Sequence, residues 1–209
     1  MSEPDLTNPR YFERYDETSD ALFYQQPRLV IHVDEHASET LSRWFGKTLP
    51  EGGDVLDLMS AWRSHLPADA KYAHVVGQGM NAAELRENPA LTASFVQDLN
   101  ALPSLPFGDA SFDACLISFS VQYLTRPVSV MREIARVLRP GGAVHIAYSN
   151  RLFPTKAVAL WQACSDAERA QLAGAYLQDA GGFKDIRADR LVDDASGFDP
   201  VYVVSAIKA

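Results

Sequence analysis

Carboxylate and polar side chains recur in this chain where short apolar segments end, and such side chains can bind and orient a small polar ligand. Asp57 lies within the apolar segment 54–58, and Asp98 follows the segment 94–97. A charged group in so short an apolar segment needs a polar partner. Each carboxylate could contact a ligand, or it could accept hydrogen bonds from nearby backbone amides, as aspartate often does in turns.

The segments that position these side chains alternate between strand and helix patterns. Strands are predicted for 54–58, 72–77, 94–97, 112–119, 143–148, 183–191 and 201–207. A loop and a short helix are predicted for 59–66. Other helices are predicted to follow the capping residues Asp34, Asn81 and Ser165 and to cover 128–138, where apolar residues recur at helical spacing.

This order predicts an α/β fold whose doubly wound, seven-stranded sheet is mostly parallel and carries helices on both faces. No helix separates the last two strands, so a turn near Ser196 and Gly197 is expected to join them as an antiparallel hairpin. Ligands of such sheets bind outside the carboxyl ends of the strands. Those ends are 58–60, 77–80, 98–100, 118–120 and 148–150.

Two motifs give this order a family resemblance. The segment 105–113 reads Leu-Pro-Phe-Gly-Asp-Ala-Ser-Phe-Asp, and the segment 136–142 reads Arg-Val-Leu-Arg-Pro-Gly-Gly. With these motifs in this order, residues 51–207 resemble the class I, type 11-like, S-adenosylmethionine-dependent methyltransferases, which have a Rossmann-like fold. The resemblance implies that S-adenosylmethionine is the cofactor.

The resemblance also implies cofactor contacts at several strand ends. Asp98 would accept a hydrogen bond from the adenine amino group, and the backbone amide of Leu99 would face the ring. Asp57 would fix the first loop near the amino group of the cofactor, which is compatible with a structural role. Met80 could cover an adenine face or belong to the core. Ser118 completes the predicted contacts on this side of the site.

The first loop departs from the family pattern, which reads Gly-x-Gly-x-Gly after Asp-Leu. The loop here reads Met-Ser-Ala-Trp-Arg over residues 59–63. Glycines let the backbone approach the methionine end of the cofactor and present amides to its carboxylate. Ser60 and Ala61 are small enough to leave part of that approach open. Met59 and residues 62–63 must either point away from the pocket or reshape it.

The ribose site departs from the family pattern as well. In the family, an acid at the end of the second strand accepts hydrogen bonds from both ribose hydroxyls. Gly79 stands at that position here. Gln78 or Asn81 could supply a neutral and weaker replacement, although Asn81 is also a candidate helix N-cap.

Methyl transfer from a sulfonium is a direct displacement, so the protein must mainly align the acceptor and exclude water. The sequence identifies no strict catalytic group. Tyr123 is the candidate, at a place where the family often has histidine, but tyrosine is a weak base because its ordinary pKa is about 10. Substrate contacts are predicted for Tyr24, Arg28, Tyr123, Tyr148 and Asn150. The segment 23–28 could cover the site as a lid, or it could simply pack against the domain.

Composition limits the partners of the chain. The 209 residues carry a net charge of −8 and contain no basic run, so nucleic acid is not an expected partner. No apolar run reaches the length of a bilayer span, and the start Met-Ser-Glu-Pro-Asp is unlike a signal peptide. These features predict a cytoplasmic protein without a membrane partner. His32 and His36 have helical spacing but no third ligand nearby, so no metal is expected.

The sequence therefore predicts an N-terminal segment and helix over residues 1–50, with a methyltransferase-like domain over residues 51–209. The predicted function is S-adenosylmethionine-dependent methyl transfer to a small-molecule acceptor. The alternative is a non-catalytic binding or regulatory protein on the same scaffold, because a fold does not fix a function. Another nucleotide or metabolite in the same cleft is a further alternative.

Overall fold

A seven-stranded sheet forms the centre of the computed structural model, which describes residues 5–209. Most of the acidic start on which the location was predicted, residues 1–4, lies outside the described part. The strands are β1 (Asp54–Leu58), β2 (His74–Gly79), β3 (Ala93–Val96), β4 (Phe112–Ser118), β5 (Leu138–Tyr148), β6 (Phe183–Val192) and β7 (Val201–Lys208). Their spatial order is β3-β2-β1-β4-β5-β7-β6.

Strand direction follows the prediction. Strands β1 to β5 pair in parallel, whereas β7 lies between β5 and β6 and runs antiparallel to both. The strand order reverses at β1 and β4, which lie side by side and continue to opposite edges of the sheet. Ligands of doubly wound sheets bind at such a reversal. The predicted Rossmann-like α/β fold with its C-terminal antiparallel hairpin is confirmed.

Helices cover both faces of the sheet because the side chains of each strand alternate between them. The helices are α1 (Asp20–Phe23), α2 (Glu35–Thr48), α3 (Ala82–Arg86), α4 (Pro127–Val137), α5 (Ala159–Ala163) and α6 (Asp166–Ala180). In β4, Cys115 and Ile117 face the apolar cluster formed with α4 and α6. Ala114 and Leu116 face the opposite cluster, which contains the buried side of α2. None of the helices in the described residues is long and apolar enough to cross a membrane.

Side-chain caps set the starts of two helices near the site, as predicted. The carboxylate of Asp34 accepts a hydrogen bond from the backbone N of Ala37 at 2.8 Å. Asn81 Oδ1 accepts from the backbone N of Ala83 and of Glu84 at 2.9 and 3.2 Å. These bonds satisfy amides that have no partner within the helix.

The short helix predicted within 59–66 is wrong. Residues 59–73 connect β1 to β2 without a helix, although parallel neighbours are usually joined by one. Met59 and His65 have φ angles of +54° and +55°, a left-handed conformation that a right-handed helix cannot contain. The loop is held by side chains of β2 and of the segment after α3. No helix N-terminus from this connection therefore faces the carboxyl end of β1.

The segment 140–142 belongs to a strand, although the predicted helix 128–138 and the predicted strand 143–148 leave it outside both. Helix α4 ends at Val137, and β5 begins at the next residue, Leu138. The strand passes through Gly141 with a φ of +82°. Its pairing with β4 is irregular between Phe112 and Ala114, so the glycines bend the start of the strand.

Candidate functional site

A cavity of about 280 Å³ opens at the carboxyl ends of β1, β2 and β4. Its wall includes parts of the N-terminal segment and the residues that follow β5. Most of the predicted site residues line it, namely Tyr24, Arg28, Asp57, Met59, Ser60, Gln78, Met80, Asp98, Leu99, Ser118 and Tyr123. The topology of the sheet thus brings together side chains that are far apart in the sequence.

Asp98 is half-buried in the cavity wall and uses one carboxylate oxygen to shape the turn after β3. Its Oδ1 accepts hydrogen bonds from the backbone N of Asn100 at 2.9 Å and of Ala101 at 3.3 Å. Within residues 5–209, the other oxygen, Oδ2, has no hydrogen-bond partner. The turn-capping and the ligand-binding interpretations of Asp98 are therefore compatible, one for each oxygen.

Asp57 is a buried carboxylate beneath the β1–β2 loop, with 1 % of its surface exposed. Ser60 Oγ donates a hydrogen bond to its Oδ2 at 2.6 Å. Burial raises the pKa of Asp57 to about 6, although hydrogen bonds from Ser60 and Ser64 act in the opposite direction. Among the described residues, no cationic side chain forms an ion pair with Asp57, so a cationic group of a ligand would be stabilised here.

The β1–β2 loop is fixed by hydrogen bonds rather than by glycines. The backbone N of Met59 donates to Gln78 Oε1 at 2.9 Å, and the backbone N of Ser60 donates to the carbonyl of Gln78 at 2.7 Å. Asn88 Nδ2 donates to the carbonyl of Ala61 at 2.8 Å. Met59 thereby adopts the left-handed conformation that glycine usually takes, and its side chain joins the cavity wall.

The proposed neutral ribose acceptors are already engaged within the protein. Gln78 uses Oε1 for Met59 and donates from Nε2 to the carbonyl of Gln97 at 2.6 Å. Asn81 caps α3 and donates from Nδ2 to the carbonyl of Tyr24 at 2.8 Å. Each amide oxygen and nitrogen of these two side chains therefore already has a hydrogen-bond partner within the described residues.

Gly79 does not line the cavity, and the predicted ligand contact at this residue stays a prediction. A Cβ atom at this position would lie 2.3 Å from the backbone carbonyl oxygen of Ser60. The β1–β2 loop therefore occupies the space where a side chain would project. The acid found at this position in the family is excluded by the close approach of two backbone segments.

Two predicted substrate residues at the end of β5 are likewise not in the cavity wall. Tyr148 is fully buried, stacks on Tyr202 with ring centroids 5.1 Å apart, and donates its hydroxyl proton to the carbonyl of Asp166 at 2.8 Å. Asn150 is exposed, and its Nδ2 lies 3.2 Å from Asp194 Oδ1. Residues 151–153 form the wall in their place.

Tyr123 lines the cavity but does not fit the role of a base. Its hydroxyl oxygen accepts a hydrogen bond from the backbone N of Phe153 at 2.8 Å, and the two rings stack at 5.9 Å. Burial raises the pKa of Tyr123, so its hydroxyl stays protonated at neutral pH. Packing against Phe153 therefore describes the role of Tyr123 better than proton removal does.

Two histidines complete the polar part of the wall. Burial lowers the pKa of His65 to about 4, and its Nδ1 lies 2.8 Å from Ser38 Oγ. The pKa of His32 is lowered by burial and by the charge of Arg28. Both imidazoles are therefore neutral at pH 7. Among the described residues, no group of His, Cys, Asp and Glu side chains could hold a metal ion.

Buried charges anchor the N-terminal segment over the cavity, and sequence reasoning missed them. Lys156 is fully buried, donates from Nζ to the carbonyl of Thr18 at 2.6 Å, and lies 3.3 Å from Asp20 Oδ1. Arg14 donates to both carboxylate oxygens of Asp20 at 2.8 Å. Asn100 Nδ2 donates to Asp20 Oδ2 at 3.0 Å. No local pattern signals the contacts of Lys156 and Asn100, because their partners Thr18 and Asp20 lie 138 and 80 residues away.

A family model described as a methyltransferase domain matches residues 65–146. Over this segment, which is less than half of the 209 residues, the chain is similar to methyltransferase domains. The matched methyltransferase segment begins directly after the altered part of the β1–β2 loop and contains Asp98 and both sequence motifs. Asp57, Met59 and Ser60 lie outside it.

A relative is similar to this chain over a longer stretch than the family model covers. An uncharacterized methyltransferase of Mycobacterium sp. (strain JLS) is 29% identical over 144 residues, which cover 68% of this chain and 55% of the relative. The chain thus spans little more than half the length of that protein.

Two solved structures share the fold of this chain. An S-adenosylmethionine-dependent methyltransferase from Mesorhizobium loti aligns with a TM-score of 0.56 and 16% identity, over 81% of this chain and 98% of that one. The cyclase SpnF aligns with a TM-score of 0.63 and 17% identity, over 83% of this chain and 82% of that one. At such identities these matches show the fold alone.

Proposed function

We propose that this protein transfers a methyl group from S-adenosylmethionine to a small-molecule acceptor. The observation that carries the proposal is the free Oδ2 of Asp98 in the cavity wall, within the segment that matches the methyltransferase domain. That oxygen is a ready acceptor for an adenine amino group. The cavity, about 280 Å³, is near the lower limit of roughly 300 Å³ for small-molecule sites.

The residues of the cavity fit the cofactor unevenly. Asp98, Leu99 and Met80 offer an acceptor and apolar surface suited to adenine. Asp57 offers a buried negative charge suited to the cofactor's ammonium group. The described residues supply no carboxylate at Gly79 for the ribose hydroxyls, so we expect weaker binding of the nucleoside than a carboxylate would give.

When bound, S-adenosylmethionine supplies an electrophilic methyl group. The protein's own contribution is to orient the acceptor and exclude water from the site. Tyr24, Phe153 and Tyr123 form an aromatic part of the wall that can do both. Neutral His32 also lines this wall and can accept a proton from an acceptor.

A second candidate function is binding or catalysis without methyl transfer. The observation in its favour is the β1–β2 loop, which lacks glycines and is followed by no helix that could hold the methionine end of the cofactor. The cyclase SpnF is an example of a protein with this fold that is named for another reaction. Binding measurements separate the two candidates.

Isothermal titration calorimetry with S-adenosylhomocysteine tests the proposal. We expect the wild-type protein to bind it, and we expect Asp98→Asn to bind about 100-fold more weakly. In this variant the single amide oxygen would remain on the two backbone amides, and the NH₂ group would turn toward the ligand's amino group. Asp179→Asn makes the same charge change on the exposed surface of α6 and should leave the affinity unchanged.

The absence of binding of both S-adenosylhomocysteine and S-adenosylmethionine to the wild-type protein would contradict the proposal and favour the second candidate. Equal affinities for the wild type and Asp98→Asn would contradict the role of Asp98. Because Asp98→Asn keeps the turn-capping oxygen, a melting temperature near that of the wild type checks that its fold is intact.

The organisation of the chain and its location are part of the same proposal. We propose that residues 51–209 form the methyltransferase domain and that the segment over residues 1–50 covers its site. The buried contacts of Asp20 with Arg14 and Lys156 support a covering position for the described part of this segment. The two cysteines are buried and unpaired, which is compatible with the reducing cytoplasm.

A further inference from the structure

The guanidinium group of Arg28 lies in the cavity wall between aromatic rings and has no carboxylate partner among the described residues. Its Cζ atom is 4.4 Å from the ring centroid of Phe23, 5.5 Å from that of Phe153 and 5.7 Å from that of Tyr24. Such rings stabilise a cation by their negative faces but accept no strong hydrogen bond. The charge is therefore held in place without being neutralised.

One terminal nitrogen of Arg28 has no hydrogen-bond partner among the described residues. Nη2 donates to the carbonyl of Phe23 at 2.9 Å, and the backbone N donates to Glu84 Oε1 at 2.6 Å. Nη1 is buried and has no hydrogen-bond partner within residues 5–209. A buried donor without an acceptor is unfavourable and is rare in folded proteins, so an acceptor from a ligand would complete this site.

The other two arginines of the cavity wall differ from Arg28. Arg151 is exposed and donates from Nε to Asp199 Oδ1 at 2.6 Å. Arg63 is exposed, and its Cζ lies 4.7 Å from the ring of Trp62. Among the arginines lining the cavity in the described chain, Arg28 alone has a buried, unused donor.

We propose that Arg28 binds the carboxylate of the methyl acceptor, which makes the acceptor a small carboxylic acid; the inference rests on the proposed function. Four carboxylates, those of Asp20, Asp57, Glu84 and Asp98, line the same cavity and disfavour a dianion such as phosphate. A carboxylate carries a single charge, and the aromatic rings beside Arg28 suit an apolar body attached to it.

The position of Arg28 favours the acceptor over the cofactor as the source of the carboxylate. Its contacts come from Phe23, Glu84 and Phe153, which belong to the N-terminal segment and to the segments after β2 and β5. The end of the cofactor that carries its amino-acid group is proposed to lie at Asp57, beneath the β1–β2 loop. Two carboxylates would then occupy different parts of one cavity.

Ligand-observed NMR with paired probes tests this inference. Benzoate, phenylacetate and 3-phenylpropionate are each compared with the matching amide on wild-type protein, Arg28→Gln and Arg151→Gln. We expect at least one acid to bind the wild type more tightly than its amide and to lose about tenfold or more in affinity in Arg28→Gln. Arg151→Gln, with the same charge change, should keep the preference for the acid.

The inference would be overturned if no acid is preferred over its amide, or if the two arginine variants weaken acid binding equally. Calorimetry with two nucleosides separates the sources of the carboxylate. A loss of S-adenosylhomocysteine affinity in Arg28→Gln, with unchanged affinity for methylthioadenosine, would assign Arg28 to the cofactor and overturn the inference. An Arg28-dependent acid preference in a protein that binds neither nucleoside would contradict the proposed function while leaving Arg28 as a carboxylate site.

Discussion

The two sides of the cavity differ in whether their polar groups are available to a ligand. On the β3–β4 side, Asp98 and the motif 105–113 keep the family pattern, and a carboxylate oxygen stays open to a ligand. On the β1–β2 side, Gln78 and Asn88 bind the loop backbone, and the loop fills the space above Gly79. One side is thus available to a ligand, whereas the polar groups of the other are largely engaged within the protein.

This difference shows how a site can change while its fold is retained. A glycine loop leaves its amides free, but here the amides of Met59 and Ser60 are bonded to Gln78. The loop then no longer needs glycine for backbone contact with a ligand, and it needs no following helix. We therefore propose that ligand binding depends on side chains such as Asp57, Asp98 and Arg28.

The largest effect on stability is expected from Gln78→Met, which tests whether the hydrogen bonds of Gln78 hold the β1–β2 loop in place. Met fills a similar volume but leaves the backbone N of Met59 and the carbonyl of Gln97 without partners. Each such loss costs about 1–3 kcal/mol, so we expect the free energy of unfolding to fall by about 3 kcal/mol in urea titrations.

Gln162→Met is the matched control. Gln162 is exposed and donates a single hydrogen bond to the carbonyl of Ala157 at 2.7 Å, so the change should stay within about 0.5 kcal/mol. Similar unfolding free energies for the two variants would contradict the role of Gln78 in holding the β1–β2 loop.

Gly79→Ala tests whether steric exclusion explains the missing acid. The added Cβ would meet the Ser60 carbonyl oxygen at 2.3 Å, and neither backbone segment can yield easily. We expect a loss of about 2 kcal/mol in unfolding free energy, as for overpacking in a core. Gly174→Ala in α6 meets its nearest atom at 3.6 Å and should stabilise the protein slightly. An unchanged free energy of unfolding in Gly79→Ala would show that the position could hold a side chain.

Asp57→Asn tests the buried charge beneath the loop. Because the folded-state pKa of about 6 lies above the ordinary 3.8, the folded protein holds this proton more tightly than the unfolded chain. The resulting stability is present below pH 4 and is lost as the pH rises through 6. Relative to the wild type, Asp57→Asn should therefore gain about 1–2 kcal/mol in unfolding free energy between pH 5 and pH 8. A difference independent of pH would contradict the raised pKa.

The smallest effect is expected from Met59→Gly, which restores glycine at the start of the loop. Glycine tolerates a φ of +54°, so the strain that Met59 bears would be relieved, and stability should change by less than about 1 kcal/mol. Ala110 is exposed and has a φ of +52°, so Ala110→Gly measures the backbone contribution to stability alone. A large loss of stability specific to Met59→Gly would show that its side chain holds the loop.

The sequence predicts the strands and the helix starts well because apolar runs and capping side chains are local signals. An apolar run predicts the strand 54–58, and the side chains of Asp34 and Asn81 predict two helix starts; all three are present. The helix predicted in 59–66 fails because distant hydrogen bonds from Gln78 and Asn88 hold that segment.

Site residues at strand ends were predictable where the chain continues along the cavity. Ser118 is the last residue of β4, Asp98 lies two residues after the end of β3, and both line the wall. The position of Tyr148 was not predictable in this way, because the alternation of side chains along β5 turns its ring toward Tyr202 and away from the cavity. The buried Lys156 and the open Nη1 of Arg28 depend on contacts between distant segments, which no spacing in the sequence records.

The most direct test of the account is a crystal structure of the wild-type protein grown with S-adenosylhomocysteine. We predict that the nucleoside occupies the cavity with its adenine amino group hydrogen-bonded to Asp98 Oδ2, while Oδ1 stays on the amides of Asn100 and Ala101. A nucleoside bound elsewhere, or one in the cavity whose adenine amino group has no contact with Asp98, would contradict it.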